Sequence, residues 1–156
     1  MTALAVDSIA PDFELPDQDG NVIKLSEVAA QGPVVVYFYP KDDTPGCTKE
    51  ACEFRDKFQE FKDLGATVIG VSSDNVEKHK KFEQKYNLTQ RIVADADGKL
   101  RKEWGVPKAL FFPGRVTYLI DQQMKVRFVL ENNTNMQIHS TKMLEELKKL
   151  KEVVAA

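Results

Sequence analysis

Two cysteines, Cys47 and Cys52, lie close together in this chain and are its candidates for redox chemistry. They are the only cysteines among its 156 residues, and they stand five positions apart. A strand-like apolar run at 34–39 precedes them, and Thr44-Pro45-Gly46 is typical of the start of a helix. One thiol is therefore expected at a strand-to-helix junction and the other about one and a half turns further along the helix. This placement suits redox chemistry better than a structural disulfide.

The expected position of Cys47 in the first helical turn favours the anionic form of its sulfur. Thr44 is a suitable N-cap and Pro45 a suitable first helical residue. Free backbone N–H groups and the positive helix end stabilise an anion there, and such sites lower a cysteine pKa from about 8.5 to roughly 3.5–7.5. Gly46 leaves the approach to the sulfur open. The alternative is a buried cysteine that behaves as a small apolar residue.

The spacing of the two cysteines predicts that they cannot bond while the helix is intact. Five residues along a continuous α-helix give about 7.5 Å of rise and about 140° of rotation, so the two Cα atoms lie roughly 8.7 Å apart. Disulfides need Cα atoms within about 7 Å of each other. A disulfide between Cys47 and Cys52 therefore requires local unwinding, which would make the bond labile. The alternative is that Cys52 is an incidental helix residue.

Bulk composition indicates a globular chain, which we interpret as one domain over residues 1–156. A hydrophobic content of 42%, a net charge of −2 and a pI of about 5.8 give no reason to expect nucleic acid or a membrane as partner. The N-terminus does not resemble a secretory signal. Two cysteines favour a reducing compartment, so the expected location is the cytoplasm, or a plastid if a transit peptide has been removed.

Hydrophobic periodicity predicts a mixed α/β fold with helices on both faces of the sheet. A single helix is expected to run from the cysteine segment to Gly65, with Ser73 or Asp74 capping the next helix, which should face solvent. The remaining predicted elements are an N-terminal hairpin at 13–25, strands at 34–39, 68–72, 92–94, 116–120 and 126–130, and helices at 76–86, 99–104 and 141–154.

The segment around the cysteines resembles a known active-site signature. Pro40-x-x-x-Thr44-x-x-Cys47 is similar to the signature of the peroxiredoxins, and residues 37–56 resemble the peroxiredoxin Q, or bacterioferritin-comigratory, subgroup. Weaker similarities follow in the expected order and extend the resemblance over nearly the whole chain; they cover residues 10–13, 101–106 and 113–121.

The resemblance implies a thioredoxin-like fold with an N-terminal β-hairpin extension, and a peroxidase that needs neither a metal nor an organic cofactor. Cys47 matches the peroxidatic cysteine, Thr44 the hydroxyl that bonds peroxide and thiolate, and Pro40 the residue that shields the pocket. Arg115 matches the arginine that stabilises the thiolate and orients the peroxide, as a fixed cation would. Glu50 matches a glutamate of the motif, with an ordinary exposed helix residue as the alternative.

The same resemblance implies a two-cysteine cycle. Cys47 attacks a hydroperoxide and becomes a sulfenic acid, and Cys52 resolves it to an intramolecular disulfide. Thioredoxin or a similar dithiol then reduces that disulfide by exchange. Members of the subgroup are often monomers, so a monomer is expected here.

Two other classes of protein fit the sequence less well. A thioredoxin-type disulfide oxidoreductase uses Cys-x-x-Cys, whereas this chain has four residues between its cysteines, and 114–117 lack the proline expected opposite such a site. A metal-binding or structural module would need a spaced ligand set. The two histidines, His79 and His139, do not supply one, and we interpret them as a solvated helix residue and a loop or cap residue.

An apolar run at 109–113 departs from the commonest peroxiredoxin pattern. Its two phenylalanines precede Pro113 and Gly114, which are followed by Arg115. The run could form a pocket wall that favours bulky hydroperoxides, or it could serve packing alone.

Overall fold

The computed structural model describes residues 3–106, 108–109 and 112–155. Its strands, in chain order, are Glu14–Pro16 (β1), Val22–Lys24 (β2), Val34–Phe38 (β3), Thr67–Ser72 (β4), Arg91–Ala94 (β5), Lys108–Ala109 (β6), Phe112–Pro113 (β7), Val116–Ile120 (β8) and Val126–Glu131 (β9). Its helices are Leu25–Gln31 (α1), Pro45–Asp56 (α2), Phe58–Asp63 (α3), Val76–Tyr86 (α4), Lys99–Glu103 (α5) and Gln137–Ala155 (α6).

A five-stranded mixed sheet forms the centre, with strand order β5-β4-β3-β8-β9. The strand β3 pairs in parallel with β4 and antiparallel with β8. All five β3 residues are buried, as a continuous apolar run predicts for a strand covered on both faces. The antiparallel pair β8 and β9 is also confirmed. Because β3 is central, the loop at its end and the helix that follows are held over the middle of the sheet.

Alternating side chains of β3 enter two separate cores. Val36 and Phe38 belong to the core that contains Trp104, whereas Tyr37 belongs to the core that contains Cys47. The second core also holds the inner face of α6, which was predicted from sequence; its residues are Met143, Leu144, Leu147 and Leu150. The helix itself begins at Gln137, earlier than the predicted residue 141. The Cys47 side of the sheet is therefore covered by α2 and α6 together.

The antiparallel hairpin of β1 and β2 confirms the predicted N-terminal extension. The short helix α1 follows directly, from Leu25. None of the helices in the described part of the chain is both long and apolar enough to cross a membrane.

The helix that carries the cysteines is shorter than predicted. It ends at Asp56, and Lys57, with φ −98° and ψ 5°, separates it from α3. Phe54 and Phe61 are fully buried as predicted, but Phe58 is only half-buried. The apolar spacing survives a break of one residue, which explains why periodicity alone predicted one continuous helix. The consequence is that α2 is a separate twelve-residue segment.

The predicted cap of α4 is also wrong, although the helix bounds are confirmed. Asn75 is the N-cap, and its side-chain oxygen accepts a hydrogen bond from the Lys78 N–H at 2.8 Å. The carboxylate of Asp74 is unavailable because it accepts bonds from the Ser72 hydroxyl and from the Asp42 N–H, both at 2.8 Å. One face of α4 is charged and exposed, but its other face is buried.

Candidate active site

The sulfur of Cys47 lies in the first turn of α2, where the sequence predicted it. The residue is 1% exposed and packs in the core beneath α2. Thr44 occupies the N-cap position with extended backbone angles, and its carbonyl accepts the first helical bond from Thr48 at 2.8 Å. Its hydroxyl makes no capping bond and instead donates to the Lys41 carbonyl at 3.1 Å. The first turn of α2 therefore keeps backbone N–H groups that no side chain of the cap satisfies.

Cys52 lies on the same unbroken helix and is half-buried. Both thiols are free, so the structure shows the reduced form with α2 folded. Burial raises the pKa of the Cys52 thiol, which favours its protonated form while α2 is folded. Cys47 and Cys52 are therefore held apart by an intact helix, as the sequence predicted for the reduced state.

The side chain of Arg115 reaches the cysteine segment from the start of β8. It is 8% exposed, and its Nη1 donates to Glu50 Oε1 at 3.0 Å. Its Nη2 lies so close to Gly46 that a Cβ added there would stand 2.8 Å away. The backbone N–H of Arg115 donates to the Asn133 side chain at 2.8 Å, which fixes the turn before β8. The guanidinium is thus placed against the residue that precedes Cys47.

Glu50 is fully buried, in contrast to the exposed position that was its alternative interpretation. Burial raises the pKa of its carboxyl to about 8, and the charge of Arg115 opposes that shift only in part. Its Oε2 has no hydrogen-bond partner among the described residues and lies 3.5 Å from Nδ1 of His139. The carboxyl that holds Arg115 is therefore one that can take up a proton near neutral pH.

His139 is a fully buried residue of α6, so its interpretation as a loop or cap residue is wrong. Its Nε2–H donates to the Asn132 carbonyl at 2.7 Å, and the Thr117 hydroxyl donates to Nδ1 at 2.7 Å. Burial lowers the pKa of His139, which keeps the ring neutral in this tautomer. His139 therefore adds no positive charge beside Glu50.

His79 is likewise fully buried, which corrects the prediction of a solvated helix residue. Its Nε2–H donates to the Val93 carbonyl at 2.9 Å, because a carbonyl can only accept. Its Nδ1 lies 2.5 Å from Asp42 Oδ2, within hydrogen-bond distance. The hydroxyl of Tyr39 donates to the other oxygen of the same carboxylate. His79 thus fastens Asp42 to α4 and β5.

Residues 40–44, which join β3 to α2, are called the active-site loop below. The neighbour of Asp42 in this loop, Asp43, has a left-handed backbone with φ 57° and accepts hydrogen bonds from Lys85 at 2.8 Å and Tyr86 at 2.6 Å. Pro40 is half-buried at the beginning of the loop. The structure therefore brings Pro40 and Thr44 to the start of the Cys47 helix on a loop that is tied to α4.

A metal centre is poorly supported by the one cluster of candidate ligands found among the described residues. Asp42, Asp74 and His79 have ligand atoms within 4.8 Å of one another. Both ring nitrogens of His79 already have protein partners, and the carboxylates accept bonds from the loop and from β4. The cluster is therefore occupied with structural hydrogen bonds.

The predicted apolar pocket wall at 109–113 lies partly outside the described residues, which exclude Leu110 and Phe111. The backbone on either side forms the short antiparallel pair β6 and β7. The proposal of a wall that favours bulky substrates stays a prediction.

Sequence reasoning missed three buried polar residues that support the site, namely Asp42, His79 and His139. For His79 a signal existed, because Phe82 stands three residues later and the two share the buried face of α4. The partners of the others come from distant elements, and no local pattern reports them.

The structure is that of a thioredoxin-like protein with a cysteine in the first turn of a helix, and the chain belongs to the AhpC/TSA family, whose model matches residues 6–129. The chloroplastic peroxiredoxin Q of Oryza sativa subsp. japonica is 48% identical over 145 residues, which are 92% of this chain and 66% of the rice protein. The chain thus spans about two thirds of the length of that relative.

Solved structures show the same similarity. Peroxidoxin BcpB from Mycobacterium tuberculosis superposes with a TM-score of 0.88 at 38% identity, over 93% of this chain and 97% of that one. The bacterioferritin comigratory protein of Xanthomonas campestris gives 0.85 at 28% identity, over 97% and 99%. The predicted thioredoxin-like fold and the resemblance to peroxiredoxin Q are confirmed.

Proposed function

We propose that this chain is a thiol-dependent peroxidase that reduces hydrogen peroxide and organic hydroperoxides. The observation that carries the proposal is the placement of Cys47 in the first turn of α2, with the Arg115 guanidinium against the adjacent Gly46. Two relatives support it, because the rice protein is named a peroxiredoxin and the Xanthomonas protein is described as having alkyl peroxide reduction activity.

In the first step the Cys47 thiolate attacks the terminal peroxide oxygen. The S–O bond forms as the O–O bond breaks, leaving a sulfenic acid and releasing water or an alcohol. Backbone N–H groups at the helix start and the fixed charge of Arg115 stabilise the thiolate and the negative charge that develops on oxygen. Thr44 and Pro40 complete the pocket, the former by bonding the peroxide and the latter by shielding the sulfur. Glu50 holds the guanidinium in place through its 3.0 Å bond.

In the second step Cys52 resolves the sulfenic acid. Its sulfur displaces water from the oxidised Cys47 and forms an intramolecular disulfide, for which α2 must first unwind. A dithiol such as thioredoxin then reduces the disulfide by exchange. Rapid disulfide formation also protects Cys47 against irreversible over-oxidation.

The setting of the reaction is proposed as follows. The chain works as a single peroxiredoxin domain and as a monomer, which size-exclusion chromatography with light scattering would test. Curated relatives named as chloroplastic support the plastid alternative, whereas the cytoplasmic location stays a prediction.

Peroxide consumption coupled to thioredoxin, thioredoxin reductase and NADPH tests the proposal in wild type, Cys47→Ser and Cys52→Ser. We expect Cys47→Ser to be inactive. Cys52→Ser is the matched control, because it also removes one sulfur from the same helix. The Cys52→Ser protein should still react once with peroxide but should then turn over poorly.

Retained turnover in Cys47→Ser would exclude the mechanism. Repeating the assay with cumene hydroperoxide tests whether bulky substrates are preferred. Equal rates for both peroxides would contradict a substrate role for the apolar run at 109–113.

A further inference from the structure

A buried glutamine connects α2 to the sheet at the point where α2 must open. Gln90 is fully buried and directly precedes β5. Its Nε2 donates to the Ala51 carbonyl at 2.8 Å and to the Tyr37 hydroxyl at 3.0 Å. Ala51 lies between the two cysteines, immediately before Cys52, so this hydrogen bond joins the sheet to the segment that closes the disulfide.

Gln90 is itself held in place. Its carbonyl accepts a bond from the Gln18 side chain at 3.2 Å, and the next residues form β5, which pairs with β4 in the central sheet. The Ala51 carbonyl therefore bonds to a fixed donor. Any rotation of the Ala51 peptide that shortens the distance between the cysteines must break this bond.

A polar residue at this position has a cost that packing does not explain. The Oε1 atom of Gln90 is buried without a hydrogen-bond partner among the described residues. An unpaired buried acceptor is destabilising, and Tyr37, which contacts Gln90, stacks on Phe54 in the apolar core that contains Cys47. What Gln90 contributes there is a donor to the Tyr37 hydroxyl within the sheet and a donor to the Ala51 carbonyl, and only the second of these bonds reaches α2.

We propose that Gln90 is a positioning residue that holds α2 folded and so slows closure of the disulfide between Cys47 and Cys52. The inference rests on the proposed peroxidase function. The step it controls is balanced: the Cys47 sulfenic acid and the Cys52 thiol form one S–S bond and release one water, with the peroxide already consumed as the oxidant. The bond from Gln90 to Ala51, called the latch below, thereby sets how long the sulfenic acid stays exposed to a second peroxide.

Gln90→Met tests the proposal, because methionine is similar in length and has no hydrogen to donate. After one equivalent of hydrogen peroxide, rapid quenching and mass spectrometry would follow the sulfenic acid and the disulfide. We expect the disulfide to form roughly fivefold faster, the factor that corresponds to one lost hydrogen bond. The peroxide concentration that over-oxidises half of Cys47 should rise by a similar factor, while the first reaction of Cys47 with peroxide is unchanged.

Two controls separate the latch from general destabilisation. Ile69→Val shortens a buried side chain in the core on the opposite face of the sheet and lowers global stability by a comparable amount without touching α2. Gln122→Met makes the same chemical change at an exposed position. Neither should accelerate disulfide formation.

Equal rates in wild type and Gln90→Met would overturn the inference, as would an equal acceleration by Ile69→Val. Gln90→Asn, whose amide is too short to reach Ala51, should match Gln90→Met and replaces it if the latter does not fold. Failure of both to fold would also overturn the inference, since a residue needed by the whole fold is not specific to α2. Absence of any disulfide in wild type would instead refute the proposed function.

Discussion

The active-site loop and α2 are adjacent in sequence but are attached to the protein in different ways. In the loop, the backbone of Asp42 bonds to Asp74, between β4 and α4, and the side chains of Asp42 and Asp43 bond to residues of α4. The bonds from α2 to the rest of the protein include Arg115 to Glu50, Gln90 to Ala51, and a 2.6 Å bond from Arg55 to the Tyr86 carbonyl; the buried apolar side chains of α2 pack in the core that contains Cys47.

The different attachments of the loop and α2 indicate which part of the site stays fixed when the disulfide forms. The loop can keep Pro40 and Thr44 in place because its anchors lie outside the segment between the cysteines. Unwinding α2 breaks the bonds of Glu50 and Ala51, which lie inside that segment. Four substitutions test this difference between the loop and α2.

The largest effect is expected from Asp42→Ala in the loop. It leaves His79 Nδ1 and the Tyr39 hydroxyl without their buried hydrogen-bond partner, and each unsatisfied buried polar group costs about 1–3 kcal/mol in the free energy of unfolding. Chemical denaturation would measure it, with Asp42→Asn as the control that keeps the size and one acceptor. A loss below about 1 kcal/mol would show that the loop is not anchored by this pair.

The next effect is expected at the junction of the loop and the helix. Gly46→Ala places a Cβ 2.8 Å from Arg115 Nη2 and displaces the guanidinium. The first reaction of Cys47 with peroxide should slow by roughly 10- to 100-fold, since small misplacements have effects of this size. Stopped-flow kinetics would measure it. In an Arg115→Met background the same change should cost little, and an undiminished loss there would contradict the explanation.

A smaller effect concerns pH and Glu50 in α2. The pKa of this carboxyl is about 8 when α2 is folded, against an ordinary value of 4.5 when the segment is unwound and exposed. As pH rises, Glu50 therefore ionises at lower pH when α2 is unwound than when α2 is folded. This ionisation stabilises the unwound state, so the free energy that favours folded α2 decreases as pH rises from about 4.5 to 8. The groups facing Glu50 are Arg115, before β8, and the neutral His139 of α6.

Glu50→Gln should remove this contribution to the rate of disulfide formation. Ionisation of Cys52 accelerates both proteins alike, so the ratio of wild-type to variant rate is the informative quantity. We expect that ratio to rise several-fold between pH 5 and pH 8, by no more than about tenfold per pH unit. A ratio independent of pH would show that Glu50 does not titrate when α2 opens.

The smallest effect is expected from Lys85→Ala. Its bond to Asp43 lowers the pKa of that carboxyl, but both groups are exposed and screened by solvent. The midpoint of thermal unfolding should be unchanged within error. A clear decrease would show that the loop depends on its surface contacts as well as on the buried Asp42.

The sequence predicted the elements and the reactive segment because both depend on local patterns. Apolar runs identified β3, β4 and β8, and the residues around Cys47 carry their own signature. The break at Lys57 was missed because the apolar spacing continues across it. The roles of His139 and Gln90 were missed because each depends on partners distant in the chain, such as Thr117 and Ala51, and a contact between distant elements leaves no periodic trace.

The break at Lys57 has a consequence for the timing of the cycle. Because α3 has its own buried anchor in Phe61, only the short helix before the break has to melt and form again. Helices of this size form within about a microsecond, far faster than reactions between two proteins. In the proposed cycle, recovery of the reduced shape is therefore not the slow step, and the protein can react with the next peroxide as soon as its disulfide has been opened.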